Sequence, residues 1–213
     1  MALLAAAVAI YSLRFYGVLA QVWIAVDPAI RSVIMTAPFQ SLTHMLIAPV
    51  ALLLGPLQFV PGLRTRYPSL HRVAGRIYVA ACLISGVAAL VTSFSASGGL
   101  IAGLGFGILA VLWVTTTAGA WVAALQGRFG FHRLLMRFSF AMTFGAVTLR
   151  LQIPVGLAFG YTSYSAMSVW LAYTSWIPNI AIVALYSWWQ ARGEGRPIAS
   201  SAQVSAPLAR IAI

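Results

Sequence analysis

Apolar residues run along this chain in long stretches separated by short polar connections. The pattern predicts six membrane-crossing helices over about residues 2–26, 42–62, 73–94, 99–124, 138–160 and 167–190. A bilayer's hydrocarbon core takes roughly 20 helical residues, and every stretch is of that order. The expected fold is therefore all-α: a polytopic membrane helix bundle occupying residues 1–190, followed by a loosely ordered tail over 191–213. The first stretch is the least regular. Arg14 falls near its middle, where a charge costs about 2.5–3.5 kcal/mol on insertion scales. Either Arg14 faces the bundle interior, or the span is shorter and residues 17–41 run partly along the far surface. A start codon placed too far downstream would give the same picture. No basic region precedes the first apolar run, so the start reads as a retained membrane segment rather than a cleaved leader.

Charge sorts the connections into two kinds. One side of the predicted bundle, which also holds both ends of the chain, carries Arg64, Arg66, Arg72, Arg76, Arg128, Arg133, Arg137, Arg192, Arg196 and Arg210, with Glu194. The other side carries only Asp27 and Arg31. The positive-inside bias then places both termini in the cytoplasm, requires an even number of spans and implies a multi-pass protein of the bacterial inner membrane. This asymmetry accounts for most of the formal charge of +11. The arginines sit within a turn or so of apolar spans, where anionic lipid headgroups are the natural partners and nucleic acid is not.

Composition supports the class: 62% of the 213 residues are hydrophobic and 7% charged, with a mean hydropathy of +0.94. A soluble chain of this length needs far more charge to cover its surface. All 13 basic residues are arginine, a usage associated with GC-rich bacterial genomes. The single Cys82 cannot form an internal disulfide and says nothing about redox compartment. Asp27 and Glu194, the only acids, fall on opposite faces. This leaves no carboxylate pair for acid–base work, no acidic proton relay and no hard-cation site built on several carboxylates. Walker, His-Glu-x-x-His and dinucleotide motifs are absent, so no catalytic residue and no metal site are assigned. Gly99, Gly103 and Gly107 recur at every fourth position. They let another helix approach closely, either within the chain or in a helix–helix oligomer.

The most informative polar feature is a repeated pattern, "LHRVAGRIY" at 70–78 and "FHRLLMRFS" at 131–139. In each, His is followed by Arg, with a second Arg four residues later: His71, Arg72 and Arg76, then His132, Arg133 and Arg137. At helical spacing each Arg pair shares a face and repels by a few tenths of a kcal/mol. Both pairs also open a span at its N-terminal end, where the helix dipole is already positive. An anion relieves both penalties, because helix N-termini and Arg forks each bind phosphate or carboxylate. It could be the phosphate layer of the inner leaflet, or a phosphorylated or carboxylated amphiphile held between the two helices. A third reading is one b-type haem, with His71 and His132 as axial ligands and arginines pairing with its propionates. His44 lies toward the other face, which excludes a two-haem chain across the membrane. A small-molecule transporter is a further class, weakened by the missing acids.

Arg150 lies roughly 18 Å along its span from Phe138, at 1.5 Å per residue. Pro154 cannot donate to the carbonyl of residue 150, which leaves the local backbone open to polar partners. Asp27, Asn179 or a ligand could serve Arg150, or its side chain could snorkel to the far headgroups. Gln58, Gln152 and Asn179 could line the same interior, with Pro49, Pro56 and Pro178 bending their helices.

Three stretches, "ALLLGPLQFVPGLRTRYPSLHRVAGRIYV" (51–79), "HRLLMRFSFAMTFGAVTLRLQIP" (132–154) and "WIPN" (176–179), are similar to the uncharacterised bacterial membrane-protein family called domain of unknown function 2306. His44, upstream of Gly55-Pro56-x-Gln58-Phe59, fits the same pattern, and the resemblance covers most of residues 40–185. It implies a membrane bundle and carries no activity with it. Members often have a Glu soon after the Trp-x-Pro-Asn motif, where this chain has Ala184-Leu185, so no role for such an acid transfers.

Overall fold

The computed structural model describes residues 1–19 and 26–193, and everything in it is helix, turn or short connection. The helices are α1 (Ala2–Ser12), α2 (Arg14–Leu19), α3 (Pro28–Thr36), α4 (Pro38–Leu54), α5 (Pro61–Arg66), α6 (Pro68–Ser93), α7 (Gly99–Leu125), α8 (Phe129–Ala158), α9 (Tyr164–Thr174) and α10 (Ile177–Gly193). A single 3-10 turn, Pro56–Phe59, follows α4. Among the described residues, six segments are long and apolar enough to cross a membrane: Ala2–Leu19, Pro38–Phe59, Pro68–Ser93, Gly99–Leu125, Phe129–Ala158 and Tyr164–Arg192. No strand occurs among the described residues.

Local chemistry marks most boundaries. Proline stands in the first turn of α3, α4, α5 and α6, where its missing N–H is no loss. The Asp27 carboxylate accepts from Ala29 N at 2.8 Å and caps α3, and the Ser163 hydroxyl accepts from Ala166 N at 3.3 Å and caps α9. Gly127, at φ 70°, turns the chain from α7 into α8. That left-handed conformation costs a residue with a Cβ far more than it costs glycine.

The centre of the bundle is formed by α4, α6, α7 and α8, which pack side by side in that order. Ala51, Tyr78, Cys82, Trp113, Met136 and Phe140 meet there, all at most 7% exposed. Lipid is as apolar as these side chains, so close packing and interhelical hydrogen bonds hold such helices together. Small residues provide the closeness. Gly105 of α7 lies against Ala172 of α9, and Gly103 and Gly107 lie against Ser93 of α6. The glycine stripe at 99, 103 and 107 thus serves a contact inside the chain at two of its three positions. Around this centre, α1 packs on α4 and α8, and α10 packs on α8.

Three expectations shift. The described part of the first span is Ala2–Leu19, and α3 is a separate short helix packed on α4 through Ile34. Where that span ends falls on residues 20–25, outside the described residues. The third and fifth spans begin several residues earlier than their apolar runs, at Pro68 and Phe129, so both His-Arg motifs lie inside helices. Pro56 and Pro178 initiate a turn and a helix instead of bending one, whereas Pro49 and Pro154 do sit within helices. Of the tail predicted from residue 191, residues 191–193 complete α10, and the remainder lies outside the described residues.

Candidate functional site

At one end of the bundle the fourth residue of α6 is His71 and the fourth residue of α8 is His132. The two imidazoles lie within electrostatic reach of each other, and His71 also feels Arg64. His132 Nδ1 is 2.8 Å from the carbonyl of Ala120. A carbonyl only accepts, so this nitrogen carries a proton, and in the neutral imidazole Nε2 is then the atom with the lone pair. His71 Nδ1 is buried with no hydrogen-bond partner, and so is Gln58 Nε2. Gln58 stands beside Gly75, one turn beyond His71; a Cβ there would lie 3.2 Å from Gln58 Oε1. His71 and His132 thus occupy the same position in their two helices and act on each other electrostatically, and Gln58 stands near the first of them.

The arginines of the two motifs behave differently. Arg72, Arg76 and Arg133 are exposed. Arg137 is half-buried and turns toward α10, donating from Nη1 to Gln190 Oε1 at 2.9 Å and lying over the Tyr186 ring at 5.5 Å. Arg128 and Arg192 stack on Phe131 and Trp188, at 5.2 and 3.8 Å. Such guanidinium–aromatic pairs suit the headgroup layer, where one face is apolar and the other wet.

Across the middle, a buried hydroxyl cluster ties α6, α7 and α8 together. Tyr78 OH is 2.9 Å from Ser139 Oγ and 3.0 Å from Thr143 Oγ1. Thr117 Oγ1 is 2.7 Å from Ser139 Oγ. Trp113 Nε1 donates to Thr143 Oγ1 at 3.0 Å, and Thr143 donates in turn to the Ser139 carbonyl at 3.0 Å. Every donor in this set has an acceptor, as the dry interior of a membrane protein demands.

The half of the bundle away from the Arg-rich end holds a half-open cavity of about 650 Å³, walled by α1–α4 and α6–α9. Most of the wall is apolar, and the polar groups on it include Ser12, Arg14, His44, Arg150 and Tyr164. Arg150 donates to the Ala146 carbonyl at 2.9 Å and to Ser12 Oγ at 3.4 Å. Arg14 lies over the Tyr11 ring at 3.8 Å, with Nε and Nη1 buried and unpartnered. The two guanidiniums are near enough for their charges to act on one another. His44 is held by a 3.0 Å bond from Nδ1 to the Ser85 carbonyl, leaving Nε2 as its remaining polar atom.

The other polar residues expected at one interior surface are dispersed. Asn179 is satisfied by Thr148, Ser175 and the Ala141 carbonyl. Gln152 pairs with Thr174, and Gln58 stays at the Arg-rich end. Asn179 and the Asp27 carboxylate are therefore not the hydrogen-bond partners of Arg150. Sequence reasoning did not find Tyr164 as a cavity group, nor the hydroxyl cluster. An isolated Ser, Thr or Tyr in an apolar helix gives no signal until its neighbours are known. Arg14 did give one, as a charge in mid-span, and its interior placement is the reading the structure supports.

The arrangement is that of a multi-pass α-helical membrane protein with polar groups gathered at one end and inside the opposite half. The chain belongs to the family described as predicted membrane protein DUF2306, whose model matches residues 41–187. That region takes in the histidines and Arg150 but not α1 and α2, which bring Ser12 and Arg14 to the cavity. Neither the curated proteins nor the solved structures hold a match.

Proposed function

We propose that this protein of the bacterial inner membrane, with both ends cytoplasmic, binds an anionic lipid or related amphiphile at the cytoplasmic ends of α6 and α8. The observation that supports this most is the set of exposed, acid-free Arg72, Arg76 and Arg133 at two helix starts whose histidines approach each other. Asp27, the only acid among the described residues, lies at the opposite end. Positive helix ends and Arg forks both favour phosphate or carboxylate.

The test is a double-mutant cycle on Arg72→Gln and Arg133→Gln, read as thermal stability in nanodiscs of anionic or of zwitterionic lipid. These two are chosen because Arg137→Gln would also break the bond to Gln190. A common headgroup site should couple the two changes by more than about 0.5 kcal/mol, in anionic nanodiscs only. Additive losses in both lipids would leave two independent sets of interfacial charge.

A second reading, a single b-type haem between His71 and His132, draws on the His132 hydrogen bond. Donation from Nδ1 to a carbonyl fixes the tautomer in which Nε2 can ligate iron. Protein purified from haem-replete cells should then show a Soret band that disappears in both His71→Ala and His132→Ala; a colourless folded preparation would rule this reading out.

Orientation has its own expected result. Thr162→Cys should react with an impermeant thiol reagent added outside intact cells, and Gln126→Cys should not. Both positions are exposed, and the native Cys82 is buried. Outside labelling of Gln126→Cys would overturn the cytoplasmic placement.

A further inference from the structure

We infer that the cavity around Arg14 and Arg150 is a second binding site, which takes the anionic headgroup of a single-chain amphiphile with its hydrocarbon body against the apolar wall. Burying an unpaired cation in a membrane bundle is costly, and intramembrane arginines ordinarily face a partner or a polar cavity. Here two guanidiniums border one cavity, within electrostatic reach of each other, and neither has a carboxylate partner among the described residues. Arg150 satisfies one amino group on the Ala146 carbonyl and makes only a long 3.4 Å contact with Ser12. Arg14 leaves Nε and Nη1 with nothing. Five N–H donors per guanidinium far exceed the acceptors the protein supplies.

An anion between them would relieve the repulsion and supply the missing acceptors. Charge-assisted, forked hydrogen bonds are the strong ones, and a carboxylate or a phosphate fits that fork equally well. Tyr164 stands on the same wall with a hydroxyl that can donate as well, whereas Ser12 already donates to the Val8 carbonyl at 2.8 Å. The remainder of the wall, including Val8, Leu52, Leu109 and Val147, is hydrocarbon. A volume near 650 Å³ lies in the range of small-molecule sites, which are mostly apolar with a few convergent polar groups. Free inorganic anions have no use for such a wall. This site stands in the half opposite His71 and His132 and shares no residue with the Arg-rich end, so either can exist without the other.

The experiment uses the full chain, purified and stripped of lipid, titrated with oleate, oleoyl-lysophosphatidate and oleyl alcohol. The two anions should bind at least about tenfold more tightly than the alcohol, given the strength of charge-assisted bonds. Whichever anion binds better identifies the headgroup as carboxylate or phosphate. Arg150→Gln and Arg14→Gln should each weaken anion binding by roughly tenfold or more and leave the alcohol unaffected. Arg76→Gln, in the Arg-rich end, removes binding there and should leave unchanged the component of anion binding that Arg14→Gln and Arg150→Gln weaken. Should an arginine variant fail to fold, Ala89→Phe decides, because it fills the cavity without altering charge and should weaken all three ligands. Equal binding of alcohol and anions, wild-type affinity in Arg150→Gln and Arg14→Gln, or undiminished binding in Ala89→Phe would overturn the inference. So would loss of anion binding in Arg76→Gln alone, which would place the anion at the Arg-rich end.

Discussion

Gly105→Leu is expected to abolish the folded protein at temperatures where the parent chain is stable. Gly105 is buried where α7 crosses α9. A Cβ at this position would lie 2.8 Å from Ala172 Cβ, 2.9 Å from the Ala172 carbonyl oxygen and 3.0 Å from the Tyr173 ring. Backbone is among the nearest groups, and backbone cannot rotate aside as a long side chain can. The helices must therefore move apart, which also strains the 2.9 Å bond from Tyr173 OH to the Ile101 carbonyl. Overpacking alone costs about 1–3 kcal/mol. In lipid there is little hydrophobic compensation, because close contact is itself much of what holds the helices together. Thermal unfolding in mild detergent, followed by helical circular dichroism and gel filtration, measures the effect. Gly130→Ala is the contrast: nothing lies within 4 Å of the added carbon, so it should melt like the parent or slightly higher. A Gly105→Leu chain as stable as the parent would mean that α7 and α9 do not meet at this crossing.

What could be read before the fold was known divides along the same physical line. Lipid imposes long apolar runs and an asymmetric distribution of arginine, and both are properties of single segments. The six spans and the Arg-rich end were therefore legible, as was the family likeness over residues 41–187. Span starts were less so. Helix α6 begins at Pro68 and α8 at Phe129, because helices extend through the headgroup layer, where polar residues break the apolar pattern without breaking the helix. Relations between segments were hardly legible. His71 and His132 do share one register, each the fourth residue of its helix. Nothing in one dimension told that Arg137 would turn to Gln190 on α10, or that Ser12 would come to Arg150 across 138 positions of sequence. Pro154 was a partial guide: α8 runs through it, and Arg150 found its acceptor on its own helix, at Ala146.

Thr143→Val should cost more stability than any other single hydroxyl removed from the central cluster. Thr143 is its branching point, accepting from Trp113 Nε1, lying 3.0 Å from Tyr78 OH and donating to the Ser139 carbonyl. Valine keeps the shape and removes all three bonds, which strands the Trp113 N–H in a site where the side chain is 6% exposed. A buried donor without a partner costs about 1–3 kcal/mol, and no water in the hydrocarbon layer can replace the lost acceptor. Tyr78→Phe makes the useful comparison. It also removes an interhelical bond, yet Ser139 keeps Thr117, and Thr143 keeps Trp113. One hydroxyl proton of the Ser139–Thr117 pair loses its acceptor, but a serine or threonine hydroxyl can turn to a carbonyl of its own helix as the indole N–H cannot. The loss should therefore stay nearer the roughly 0.6 kcal/mol average for hydrogen bonds between membrane helices. Equilibrium unfolding in mixed micelles resolves a difference of this size. The cause can be isolated by adding Trp113→Phe to Thr143→Val, which removes the stranded N–H together with its acceptor. The double variant should then lose less than the sum of the two single losses, because the desolvation penalty is no longer incurred. If Thr143→Val and Tyr78→Phe melt together, or if the double variant is strictly additive, the hydroxyls are separate local contacts, and α6, α7 and α8 owe their alignment to packing alone.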